Sequence, residues 1–226
     1  MDGISSVLVA RRGFVIGGLA SSALLLSGCA GTGPFSMVEA IQRLLTISSQ
    51  RAFARLTAPG GFWDSEVARF DLPELFTGGS AIRSLLTSTL FRTQLQRQLN
   101  IMAEKGAERA APVVYGAVRS TSIGDAVGIV RGGPTAATTF LRSRMGPALI
   151  NAMIPGLADV LRVGADPVLG QAIRALSGVD LGSVAQAVAI RADNSIWYQI
   201  GAEETAIRAN PQSTGDPLLI WLFKVL

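Results

Sequence analysis

The 226-residue chain has no histidine and one cysteine, and of its 20 basic residues only Lys105 and Lys224 are lysines. Without histidine there is no imidazole acid or base and no imidazole metal ligand. One cysteine excludes intrachain disulfides, thiolate zinc sites and iron–sulfur clusters. Carboxylates, hydroxyls, tyrosine, lysine and arginine are the only groups left for chemistry, and neither a metal nor a cofactor is expected. Aromatics are scarce, at 6%, in a chain that is 49% apolar, so the core must be built from alanine, leucine and their like. No segment alternates apolar and polar residues between hairpin turns, which excludes an extended sheet.

The net charge of +4 and pI near 10.0 would suit nucleic acid if the cations clustered. They do not. Beyond the adjacent Arg11 and Arg12, the groupings Arg51 with Arg55 and Arg142 with Arg144 are short pairs that read as solvated helix faces, so no nucleic-acid partner is expected.

What is present begins at the N-terminus. Arg11 and Arg12 precede an apolar run, Phe14 to Leu26, that is interrupted by Gly17, Gly18, Ser21 and Ser22. It falls short of the about twenty predominantly apolar residues that cross a bilayer, but it has the charge, length and small-residue ending of a secretory leader. Leu26-Ser27-Gly28-Cys29 resembles the bacterial lipobox, in which the cysteine sulfur takes a diacylglyceryl group and the chain is cut before it. Two or three acyl chains give stable anchorage where one does not. Arg11, Arg12 and Phe14 also resemble a twin-arginine export signal; an ordinary secretion signal can carry the same pair, so both routes stay open. The chain divides into a leader at 1–28, a linker at 29–35 and one helical domain at 36–226. It is expected on the periplasmic face of a cell envelope, held to the membrane through Cys29. With Ala30, not Asp, behind the cysteine, the outer membrane is the expected location in a Gram-negative cell.

The domain reads as all-α, a single irregular bundle of about seven to nine helices. Ser36 caps a first amphipathic helix that stops before Pro59-Gly60-Gly61, and residues 62–73 form an ordered loop folded onto the bundle. A second periodic segment spans 80–115, bent or divided at Gly106 and Pro112. Ser122 caps a short helix closed by Gly132-Gly133, and Pro134 occupies the first turn of the next, over 135–145. Several short helices fill 146–178. Asp180 caps a further one through Arg191, and Asp193 or Asn194 begins the last long helix, ending at Asn210-Pro211. The tail from Pro217 is apolar all round and either docks on the bundle or meets a partner.

Three tracts carry a family resemblance: Ala103-Glu-Lys-Gly-Ala-Glu-Arg-Ala-Ala-Pro112, Gly132-Gly-Pro-Thr-Ala-Ala-Thr138 and Glu203-Glu-Thr-Ala-Ile-Arg-Ala-Asn-Pro211. With Gly60-Gly61-Phe62 and Val67 to Pro73, they resemble the bacterial family called domain of unknown function 4197. The chain departs from it at Pro134, where an acidic residue is usual, and in its less basic tail. The resemblance implies a helical, envelope-associated protein with no assigned activity.

Asp193, Glu203 and Asp71 are the candidate catalytic carboxylates, since a hydrolase of this composition needs one carboxyl kept protonated by burial and another ionised. Adjacent Glu203 and Glu204 point about 100° apart on a helix. Glu204 and Arg208, four apart, read as a surface ion pair. Gly132-Gly133-Pro134-Thr135 reads as helix punctuation, although free N–H groups there could hold an anion. The composition points away from an enzyme and toward a lipid-anchored binding or scaffold module with a lipid, peptide or envelope protein as partner. The alternative is a carboxylate-dependent hydrolase acting on an envelope substrate.

Overall fold

The Oγ of Ser36 accepts the Glu39 N–H at 3.5 Å and opens α1 (Met37–Leu56), whose buried stripe of Ile41, Leu44, Leu45, Phe53 and Leu56 follows the expected three- and four-residue spacing. The computed structural model describes residues 36–76, 80–163, 166–176 and 181–225. Arg11, Arg12, Phe14, Cys29 and Asp180 lie outside the described residues. Among those described there are nine α-helices, two 3-10 turns (Glu74–Phe76 and Pro211–Thr214) and no strand, which is the expected all-α bundle.

Four helices make the core. These are α1, α3 (Thr89–Ser120), α6 (Ala148–Val163) and α8 (Leu181–Ala209), with α3 and α8 each packed against the other three. Small residues let the long helices approach closely: Ala103, Ala107 and Ala110 on α3 and Ala185, Ala189 and Ala192 on α8 are wholly buried. Around this core, α2 (Ser80–Leu86) and α7 (Pro167–Ala175) lie on α3, while α4 (Ala126–Arg131) and α5 (Ala136–Met145) lie on α1 and α8 respectively. The tail forms α9 (Pro217–Val225) and docks on α1, with Leu218, Leu219 and Leu222 buried. Among the described residues no single helix is long and apolar enough to cross a membrane.

Several boundaries differ from expectation, for one reason: burial outweighs local punctuation. The 80–115 segment breaks at Thr87 and Ser88, where Ser88 Oγ caps α3, and not at Gly106 or Pro112. Gly106 instead admits α6, since a Cβ there would stand 3.4 Å from Met153 and Leu157. Pro112 forfeits one helical hydrogen bond, yet α3 continues between buried Ala110 and Val114. Asp125, not Ser122, caps α4, accepting Gly128 N–H at 2.8 Å. Pro134 precedes the Thr135 cap of α5 and so lies outside its first turn. In place of several short helices, residues 146–178 hold the sixteen-residue α6, which runs through Pro155, and α7. No break occurs at Asp193 or Asn194. α8 runs unbroken through both because the Asp193 carboxylate bonds to other side chains and leaves the backbone alone.

The 57–73 connection is ordered by its own buried aromatics and by one amide. Phe62 and Phe70 meet edge to face at 6.3 Å. The fully buried Asn100 accepts Phe70 N–H (3.2 Å) and donates to Phe70 O (3.0 Å), matching both backbone groups of that residue. Two glycines make the turn possible. Gly60 has φ +81°, and a Cβ on Gly61 would lie 2.1 Å from Arg55 O. Gly61→Ala is therefore expected to cost about 2–3 kcal/mol in urea denaturation, the scale of overpacking a site that cannot relax, whereas Gly133→Ala, where a Cβ meets nothing within 4 Å, should lie within about 0.5 kcal/mol of wild type.

Candidate functional site

The carboxylates singled out in the sequence turn out to be ties between helices. Asp193, on α8, accepts Arg142 Nη2–H at 2.9 Å and the Trp197 indole N–H at 2.9 Å, binding α8 to the C-terminal turn of α5. Burial pushes its carboxyl above the usual carboxylate range, and the Arg142 charge and the Trp197 bond pull in the opposite direction. Asp71 is exposed and accepts Gln96 Nε2–H at 3.0 Å, fastening the loop to α3. Glu203 is buried and pairs with Arg55 of α1 at 3.2 Å. Ten residues separate Asp193 from Glu203 on one unbroken helix, about 15 Å along its axis. That is too far for the 5–9.5 Å separations used in glycoside cleavage, so the structure does not bring this pair together.

The Glu204–Arg208 pair is not the surface pair that its spacing suggests. Glu204 is fully buried and Arg208 is 11% exposed. Glu204 accepts Ala137 N–H (3.0 Å), Thr138 N–H (2.7 Å) and Thr138 Oγ1–H (2.6 Å). Thr135 makes no side-chain cap of its own. The anion at the start of α5 is thus supplied by the protein, sixty-seven residues along the chain from Ala137. Arg208 donates to Val130 O (2.8 Å) and Ile129 O (3.0 Å) at the end of α4, and its guanidinium lies over the Phe223 ring of α9. One ion pair therefore caps two helices and touches a third.

A fourth buried carboxylate, Glu104 on α3, carries no sequence signal of its own. It faces the backbone N–H groups of Phe62 and Gly60, and its Oε1 has no hydrogen-bond partner. Burial pushes its carboxyl above the ordinary glutamate value, and those two backbone groups hold the rise in check. The stability tied to this group is complete below the ordinary glutamate pKa and is lost as pH rises through the elevated one. Glu104 should accordingly contribute less stability at neutral than at mildly acidic pH. Glu104→Gln should flatten that slope when melting is followed from pH 4 to 8; an unchanged slope would assign it elsewhere.

Two concavities accompany these ties. The first, about 450 Å³, lies between α3, α6 and α7 on an apolar floor of Ile101, Met102, Val160 and Leu169. Its charged rim is partly self-paired, Lys105 with Glu108 at 2.7 Å. The second, about 580 Å³, lies between the Gly60-Gly61 turn and α8, with Glu203 and Gln199 in its wall. There Ser65 Oγ–H donates to Gln199 Oε1 at 3.4 Å, and Gln199 Nε2–H to Glu203 Oε1 at 3.3 Å. Sequence reasoning overlooked Gln199 and Arg55; the four-residue spacing from Gln199 to Glu203 was the one available signal, since it places both on one helix face. Among the described residues no three metal-ligating side chains stand together.

No curated protein and no solved structure matches this chain. The family described as protein of unknown function, DUF4197, matches residues 32–224, and the chain therefore belongs to that family.

Proposed function

We propose that the protein is a lipid-anchored component of the cell envelope that binds a partner and does not transform it. The observation that carries the binding half is the dispersal of the candidate carboxylates. Asp193, Glu203 and Asp71 go to three different partners, and of these Glu203 lines the second cleft. Acid and base carboxylates must face one substrate in different environments, so this arrangement argues against the hydrolase reading. The apolar groove between α3, α6 and α7, without charges converging on its floor, suits a binding module.

The anchoring half rests on Arg11, Arg12, the apolar run and Cys29. Mass spectrometry of protein purified from its own membranes is expected to find a mature N-terminus at Cys29 carrying thioether-linked lipid. A full-length polypeptide with a free thiol, recovered from soluble extract, would remove this half of the proposal.

A further inference from the structure

We infer that the cleft between the Gly60-Gly61 turn and α8 binds its ligand through a primary ammonium group, with Glu203 as the principal acceptor. The inference rests on the binding reading and assigns it a second site, separate from the apolar groove between α3, α6 and α7. Glu203 and Gln199 are both more than nine-tenths buried, yet both line an open cleft. Glu203 takes its hydrogen bond and its ion pair on Oε1, so Oε2 is left for a ligand. The bonds from Ser65 to Gln199 and from Gln199 to Glu203, at 3.4 and 3.3 Å, are longer than the about 2.7–3.2 Å of well-formed ones. The wall is therefore ordered without being saturated. It offers Glu203 Oε2 and the Gln199 amide oxygen as acceptors, with Ser65 Oγ beside them already accepting Ala68 N–H at 3.0 Å, and an ammonium carries its donors in a compact charge.

Charge points the same way. Asp64 and Glu66 are exposed at the mouth of the cleft, against the single cation Arg55. Arg55 is itself 68% exposed and holds Glu203 through Nε at 3.2 Å. It serves as a solvated counter-ion that an incoming ammonium can displace. The volume, about 580 Å³, exceeds what a bare ammonium ion would occupy and is of the size that takes a small organic molecule or a side chain.

The ammonium has two sources, a free small amine or a lysyl side chain of a protein partner. The test uses the full chain in detergent, titrated calorimetrically with cadaverine, with an N-acetylated lysyl tripeptide amide and with 1-pentanol. Both amines are expected to bind and the alcohol not to. Tighter binding of the tripeptide assigns the site to a protein partner, and tighter binding of cadaverine assigns it to a small amine. Glu203→Gln should weaken both by about tenfold or more, the loss of one charge-assisted contact. Arg55→Ala, by removing the competing cation, should strengthen them a few-fold; a purely structural Arg55 would give weaker binding or none. Absence of amine binding by the wild-type chain, or equal affinity for the alcohol, overturns the inference while leaving lipid anchorage intact. Recovery of a chemically altered probe would retain the site and overturn the binding reading instead.

Discussion

Glu204→Ala is expected to lower the unfolding free energy by about 3–5 kcal/mol, the cost of breaking a buried pair and leaving its partner uncompensated. For a domain of this size that corresponds to roughly a 10 °C fall in melting temperature. Three losses coincide. Arg208 keeps its charge at 11% exposure without its carboxylate. The Ala137 and Thr138 N–H groups lose their acceptors, and the first turn of α5 loses the anion that offsets its dipole. Arg208→Ala should cost a similar amount, because Glu204 would then be buried with a full charge and the carbonyls of Ile129 and Val130 would lose their donors. The double variant should be well short of the sum, since one ion pair is lost in all three cases. Additive losses in chemical denaturation would show that the two side chains act separately and that the capping account is wrong.

Phe62→Ala should be comparably severe, about 3–5 kcal/mol, because the ring is wholly buried and its removal opens a cavity beneath the turn. Its edge-to-face partner Phe70 and the Gly60-Gly61 backbone lose their support together. The consequence reaches the cleft. Since Gly60, Gly61 and Ser65 form one wall, amine binding should weaken in this variant along with stability. Phe62→Leu, which keeps most of the volume, should recover stability to within about 1.5 kcal/mol of wild type and recover binding with it. Calorimetric titration of the two variants beside their denaturation curves checks the coupling; full binding by a destabilised Phe62→Ala chain would separate the turn from the site.

The acid limb of stability should report the tail. Burial alone would raise the carboxyl of Asp216, but the Arg43 hydrogen bond and the N–H groups of Leu218 and Leu219 outweigh it and hold the group below the usual aspartate value. Its contribution is complete above the ordinary aspartate pKa and is lost as pH falls through the depressed one. Trp221 fluorescence in α9 should then change at the acid end of a titration, and Asp216→Asn should remove that change.

Much of this molecule is legible in its residues alone. The helical class follows from the three- and four-residue recurrence of Leu, Ile and Ala and from the scarcity of aromatics. The first cap at Ser36 and the stop before Pro59 follow from the backbone preferences of those residues, which act over a few bonds. The same local rules failed wherever burial competed with them. Gly106, Pro112, Pro155 and Asp193 all look like breaks and none is one: packing on both sides of a long helix outweighs the hydrogen bond lost at each proline and the backbone freedom of Gly106, and the Asp193 carboxylate is engaged by other side chains. Family membership was legible as well, being carried by short tracts in order.

The roles of the carboxylates were not. Glu203 and Glu204 are neighbours in sequence, yet one lines a cleft with Gln199 and Arg55 and the other is sealed at the start of α5. A turn of about 100° separates the two directions, and beyond Gln199 and Arg208, one helical turn away, what stands in each direction comes from chain segments more than sixty residues distant. Residue type and spacing decide what a side chain can donate or accept. Which partner it meets, and whether water reaches the pair, is decided only when the distant helices have packed around it.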